Sequence, residues 1–162
     1  MKKIFKEIII LTICTSTSIC AALFVNRFVI VNAQVVSSSM EGTISVDNRV
    51  FGLRSGFVFT PHTRGDIIVF ASPIPHEFSE AFIKRIIALP GETIEIINGQ
   101  VLINGELLTE SYITEPVQHD LTLTLVPDGH LFVMGDNRNN SRDSREFGTI
   151  PIDSVIGRIF LY

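Results

Sequence analysis

At 162 residues the chain has room for one domain of ordinary size and a short appendage. A formal charge of −4 with scattered arginines argues against nucleic acid as a partner, because no basic surface is available to meet phosphates. The two cysteines, Cys14 and Cys20, both fall in an N-terminal apolar run, which argues against a disulfide framework; the four histidines, His62, His76, His119 and His130, lack metal-ligand spacing.

Ile8 to Val25 is an uncharged apolar run, preceded by Lys2, Lys3 and Lys6 and followed by Asn26-Arg27. As a helix it would be about 27 Å long at 1.5 Å per residue, close to the ~30 Å hydrocarbon core of a bilayer. The hydroxyls of Thr12, Thr15, Ser16, Thr17 and Ser18 can bond back to carbonyls one turn earlier, so they do not forbid insertion. Lysines stay on the cytoplasmic side, which places everything after Arg27 outside. A cleaved secretory signal ending at Val31-Asn32-Ala33 is the competing reading, but the apolar run exceeds the usual length of such a signal. The expected organisation is a cytoplasmic N-terminus over 1–7, a single-pass membrane anchor over 8–27 and an extracytoplasmic β-rich domain over 28–162.

After the anchor the pattern alternates. Phe28 to Val31 and Gln34 to Val36 read as strand, followed by the serine-rich loop Ser37-Ser38-Ser39-Met40-Glu41-Gly42. Val46 to Leu53 and Asp66 to Phe70 read as further strands, and Ala71 to His76 as loop. Gly65-Asp66 reads as a structural turn. Asn98-Gly99 and Asn104-Gly105 punctuate β-type residues as two-residue hairpin turns, because both positions tolerate positive φ. Leu121 to Val126 and His130 to Met134 read as another hairpin around Pro127-Asp128-Gly129, and Val155 to Leu161 as the last strand. The body is expected to be mainly β, with function on loops.

Ala81 to Gly91 reads as a short buried strand ending in a Pro-Gly turn, and it holds the only lysine beyond the N-terminus, Lys84. Alternation puts Lys84 on one face with Phe82 and Ile86, and Arg85 on the other. Apolar neighbours disfavour the ammonium, and a neutral amine can take a proton from a serine hydroxyl. A lone surface lysine or a solvated loop serine would be the ordinary reading of either residue by itself.

Four segments in this order, behind an anchor, change that reading: Ser37 to Ile44, Gly65 to Phe70, Lys84 to Glu92, and Met134 to Gly148 with its pattern G-D-N-x-x-x-S-x-D-S-R-x-x-G. Together they closely resemble the type I signal peptidases, membrane-bound serine proteases with a serine–lysine dyad. The resemblance implies a signal-peptidase-like antiparallel β-sheet domain behind one transmembrane helix. It implies Ser39 as nucleophile, Lys84 as general base, Ser37 in the oxyanion hole with the Ser39 N–H, and Ser141 orienting the lysine amine. Asp143 and Arg145 would form a supporting ion pair, and Met40 and Ile83 would lie at the substrate strand. The implied substrates are exported preproteins cut after small residues of the Ala-x-Ala type, next to membrane lipid and the secretion channel. No cofactor or metal is implied. The family usually has proline where this chain has Gly42, which bears on the turn after the nucleophile. The alternative is a specialised or non-catalytic assembly factor for pilins or a restricted client set. A self-cleaving repressor of the Ser–Lys type is excluded, since a DNA-binding helix pair would stand where the anchor is.

Overall fold

The computed structural model describes residues 2–74, 81–113 and 115–162. Helix α1, Lys2–Phe24, is extended by a π-helical turn over Val25–Val29. Among the described residues it is the one helix long and apolar enough to cross a membrane, and its apolar span is not buried within the protein. Thr12 donates to the Ile8 carbonyl, Thr15 to Thr12, Thr17 to Ile13 and Ser18 to Cys14, so these hydroxyls are satisfied within the helix. The helix enters strand β1, Ile30–Gln34, without a loop. Phe28 and Val29, expected in a strand, instead complete the last helical turn, and Val35 and Val36 lie beyond β1. Val31, Asn32 and Ala33 are paired with Gly52, Phe51 and Val50, so cleavage after Ala33 would sever a strand of the sheet.

The remaining strands are β2 (Arg49–Arg54), β3 (Ile67–Ala71), β4 (Ala81–Ala88), β5 (Thr93–Ile97), β6 (Gln100–Ile103), β7 (Glu106–Leu107), β8 (Leu121–Leu125), β9 (His130–Met134), β10 (Ile150–Pro151) and β11 (Val155–Leu161), with a short helix α2 at Ser144–Phe147. They form a large antiparallel sheet in the order β1-β2-β11-β3-β4-β9-β10 and a smaller one in the order β7-β6-β5-β8. Both Asn-Gly turns form as expected, with φ of 51° and 79° at Asn98-Gly99 and 52° and 80° at Asn104-Gly105. Strand β2 starts at Arg49 rather than Val46, because Asp47 adopts a left-handed φ of 68° that breaks the extended run. Pro75 and His76 of the predicted loop lie outside the described residues.

One expected hairpin does not form. Strand β8 pairs with β5, while β9 pairs with β4 and β10, so the two lie in different sheets. The Val126 N–H donates to the Glu92 carbonyl and the Gly91 N–H to the Val126 carbonyl, which fixes the end of β8 on the small sheet. Pro127 and Gly129, at φ 71°, then carry the chain across. Residues Leu131 to Met134 are buried on both faces, as in a central strand, whereas a two-stranded ribbon would have left one face wet.

Strand β4 takes part in all three apolar clusters of the core. Ile87 and Ala88 join the interior of the small sheet, Ile83 packs beside Met40, Ile67 and Val69, and Phe82 and Ile86 belong with Ile68, Phe70 and Val133. The strand that carries Lys84 is therefore held by all three clusters.

Candidate active site

Ser39 lies in a 3-10 turn, Ser38–Met40, whose last residue is driven into the core: Met40 is 1 % exposed. The turn is closed by the Glu41 N–H on the Ser38 carbonyl and the Ile44 N–H on the Met40 carbonyl. From β4, Lys84 reaches back across the sheet, and its Nζ donates to Ser39 Oγ at 2.6 Å. Ser39 is 7 % exposed and Lys84 3 %, so this contact sits out of bulk water. The amine also stands 5.7 Å from the centroid of the Phe82 ring, on the face that alternation assigns to it. Phe82 in turn is stacked on Phe147 at 6.0 Å. Ser37 Oγ is 3.2 Å from Ser39 Oγ, within hydrogen-bonding reach.

The loop after β9 clamps the serine turn. Asn137 donates its N–H to the Ser39 carbonyl at 3.1 Å and its Nδ2 to the Ser38 carbonyl at 3.0 Å, and Asn140 Nδ2 donates to Ser38 Oγ at 2.9 Å. Gly135 runs between the two serines of the site, so closely that a β-carbon there would collide with both Ser141 Oγ and the Ser39 carbonyl. Ser141 donates to Asp143 Oδ2 at 2.7 Å, which leaves its oxygen lone pairs available to accept.

Asp143 is fully buried and caps α2. Its carboxylate takes Gly135 N–H at 3.0 Å and Arg145 Nε and Nη2 at 2.8 Å each, so the expected Asp143–Arg145 pair is present and holds the loop around Ser141. Ile83, half-buried, packs against the Met40 cluster. Gly42 has φ +96°, a conformation that proline cannot adopt, so the turn after Ser39 is built for glycine.

Three further parts of the site escaped the sequence reading. Arg85, on the opposite face of β4, makes a two-pronged contact with Asp136 at 2.8 and 2.6 Å and donates to the Gly65 carbonyl, which makes Gly65 part of its support. Arg138 grips Glu110 in the same way. Tyr112 lies against Arg85, with the guanidinium carbon 3.9 Å from the ring centroid. Arg85 and Asp136 stand inside the quoted segments and could have been suspected there, but Glu110 and Tyr112 belong to a loop without any motif. Among the described residues no group of three or more His, Cys, Asp or Glu is placed to hold a metal ion.

A buried hydroxyl held by a buried amine, on a two-sheet β body behind an apolar helix, is an arrangement in which an amine could activate a serine. Residues 7–162 match the family described as signal peptidase, peptidase S26, and the chain belongs to that family. It is 44 % identical over 141 residues to the probable signal peptidase I-1 of Synechocystis sp., covering 84 % of this chain and 72 % of that protein. It is 41 % identical over 146 residues to signal peptidase I of Leptolyngbya laminosa, covering 87 % and 72 % respectively. The crystal structure of a signal peptidase I from Enterococcus faecalis V583 is similar with a TM-score of 0.54 and 36 % identity, covering 62 % of this chain and 98 % of that one.

Proposed function

We propose that this chain is a signal peptidase I that removes N-terminal signal peptides from exported preproteins at the outer face of the membrane, with Ser39 as nucleophile and Lys84 as its base. Ser39 Oγ attacks the scissile carbonyl carbon while its proton passes to Lys84 Nζ. The carbon–nitrogen bond then breaks, the proton goes to the departing amine of the mature protein, and the signal peptide stays as an ester on Ser39. Water, giving a proton to Lys84, attacks that ester; the carbon–Oγ bond breaks, Lys84 returns the proton to Ser39 Oγ, and the signal peptide leaves as a carboxylate. Ser37 and the Ser39 N–H would face the developing oxyanion, where a single donor is worth about 2.7–4 kcal/mol. Ser141 would orient the amine, with Asp143 and Arg145 holding its loop.

The observation that carries this reading is the 2.6 Å contact between Lys84 Nζ and Ser39 Oγ with both residues buried. Burial disfavours the charged amine, which is the condition a lysine base needs. Substrate docking has support of its own. Strand β9 pairs with β4 only from Arg85 onward, so Phe82 and Ile83 have β3 as strand neighbour on one side and, among the described residues, no strand on the other. An extended peptide can add there, over Ile83 and the floor formed by Met40, and shallow apolar pockets would favour small residues at −1 and −3. The organisation proposed is a cytoplasmic stretch 1–7, an anchor 8–27 in the cell membrane, and residues 28–162 outside, next to lipid and the secretion channel, where the ends of signal peptides emerge.

The test is to incubate the full-length protein in detergent with a preprotein ending its signal in Ala-x-Ala. Wild type should release the shortened product and Ser39→Ala should not. A wild type as inert as Ser39→Ala would end this reading and leave a non-catalytic family member.

A further inference from the structure

The loop joining β7 to β8 leaves the small sheet and comes to lie against the chain between Gly135 and Ser141. Glu110 and Arg138 form an ion pair inside the protein, with side chains 2 % and 1 % exposed and contacts of 2.5 and 2.7 Å. The same arginine donates from Nε to the Gly135 carbonyl at 3.1 Å. Gly135 is the residue where a β-carbon would collide with both Ser39 and Ser141, and two residues later the Asn137 N–H holds the Ser39 carbonyl. Tyr112 donates its hydroxyl to Glu110 at 2.6 Å and lays its ring on Arg85, the neighbour of Lys84 in β4. Further along, the Gln118 N–H donates to Asn139 Oδ1, and Asn139 Nδ2 donates to the Pro116 carbonyl.

We propose that Glu110 and Tyr112 are positioning residues for the reaction: a strap from the small sheet that sets the serine turn against the lysine strand through Arg138 and Arg85. Neither residue reaches the reacting atoms. Glu110 acts on the nucleophile side, through Arg138, the Gly135 carbonyl and the Asn137–Ser39 contact. Tyr112 acts on the base side, through the arginine next to Lys84. The two sides meet in the bond between the Tyr112 hydroxyl and Glu110, so a single short segment spans both halves of the dyad. Burial is what makes this a rigid linkage, since an ion pair withdrawn from solvent has little geometric freedom and is strongly opposed to separation. The phenol of Tyr112 is pushed up by burial first and by its bond to Glu110 second, which keeps it a donor at any working pH.

This inference rests on the peptidase reading for its kinetic consequence, and the experiment separates the two. Wild type, Ser39→Ala, Glu110→Gln, Tyr112→Phe and Tyr112→Leu are compared as full-length protein in detergent. The readouts are kcat and KM on one preprotein, the melting temperature, and amide hydrogen exchange at Asn137 and Ile86. Glu110→Gln is expected to lower kcat roughly 10- to 100-fold with KM little changed, because it misplaces the dyad rather than the peptide site. The Asn137 amide should exchange at least about tenfold faster, while Ile86, bonded to Asp66 in the core, keeps its protection. Tyr112→Leu should lower kcat in the same manner, and Tyr112→Phe, which loses the bond to Glu110 but keeps the ring on Arg85, should fall between Tyr112→Leu and wild type.

A merely structural strap would instead lower the melting temperature, raise exchange at Asn137 and Ile86 together and leave kcat per folded molecule at the wild-type value; that pattern overturns the proposal. If Glu110→Gln does not fold, the pair of Tyr112 variants decides by the same criteria. Should wild type prove as inert as Ser39→Ala, the peptidase reading fails, and an unchanged Asn137 exchange rate in Glu110→Gln and Tyr112→Leu would still refute the strap.

Discussion

Gly135→Ala adds one carbon at the most crowded point of the site. The new Cβ would stand 2.6 Å from Ser141 Cβ and still closer to Ser141 Oγ and the Ser39 carbonyl. Carbon atoms rest comfortably about 3.5–4.0 Å apart, so one neighbour must retreat by about 1 Å. Ser39 is tied by Asn137 and Ser141 by Asp143, and the retreat therefore moves a tied group and not a loose side chain. A 1 Å misplacement of reacting groups costs on the order of a hundredfold in rate, equivalent to about 2.7 kcal/mol of barrier. The crowding should also destabilise the fold by about 1–3 kcal/mol, as overpacked sites do. The assay is kcat on a preprotein, normalised to folded protein, with the melting temperature measured in parallel. A Gly135→Ala enzyme that is destabilised yet turns over at the wild-type rate per folded molecule would refute the idea that Gly135 sets the distance between the two serines.

Lys84→Arg should abolish cleavage in a protein that still folds, because a guanidinium keeps its charge and cannot serve as a base; measurable turnover in that variant removes Lys84 from the mechanism. Tyr112 has a raised pKa from burial and its bond to Glu110, so its contribution to stability is present below the ordinary tyrosine value and lost as pH rises beyond it. In an absorbance titration one tyrosine should remain protonated at about pH 11 in the folded protein, and Tyr112→Phe should remove that signal. His62 has a lowered pKa, from burial first and Arg158 second, so as pH falls the unfolded chain takes the proton before the folded one does. Its stabilising contribution holds above about pH 6.5 and fades as pH drops through the folded value, and His62→Gln should flatten the fall in urea midpoint between about pH 7.5 and about pH 5.5. Gly42→Pro restores the residue usual in the family at a position with φ +96°, and should lower stability by about 1–3 kcal/mol, read as a drop in melting temperature.

What the sequence made legible is what local rules govern. The Asn-Gly turns form because two adjacent residues tolerate positive φ, and nothing distant alters that. Lys84 could be singled out because a charged residue inside an apolar strand conflicts with its surroundings, and the alternation of β4 then gave its face correctly. The misread hairpin shows the limit. Leu121 to Val126 and His130 to Met134 are adjacent in sequence and both extended, but which strands they pair with depends on β5 and β4, segments chosen by tertiary packing. The residues joining the anchor to β1 were misread for a related reason, since Phe28 and Val29 suit a strand or a helix end equally well and the continuing helix takes them. Glu110 was invisible because its meaning lies in Arg138, 28 residues away, and no periodicity connects them.

These differences in legibility follow a division of labour in the site. Lys84 sits on a strand that three apolar clusters hold in place, so its position is a property of the core. Ser39 sits on a short turn anchored by Met40 and held against the lysine by polar contacts from the Gly135–Ser141 loop. Hydrophobic burial is strong but non-directional, and it suffices to place a strand. Hydrogen bonds and buried ion pairs contribute less net stability but impose direction, which is what bringing a hydroxyl to 2.6 Å from an amine requires. It follows that truncating Ile86 or Val133 should weaken folding with little effect on the rate of the folded fraction, whereas altering Asn137 should do the reverse, a separation that parallel melting and kcat measurements would resolve.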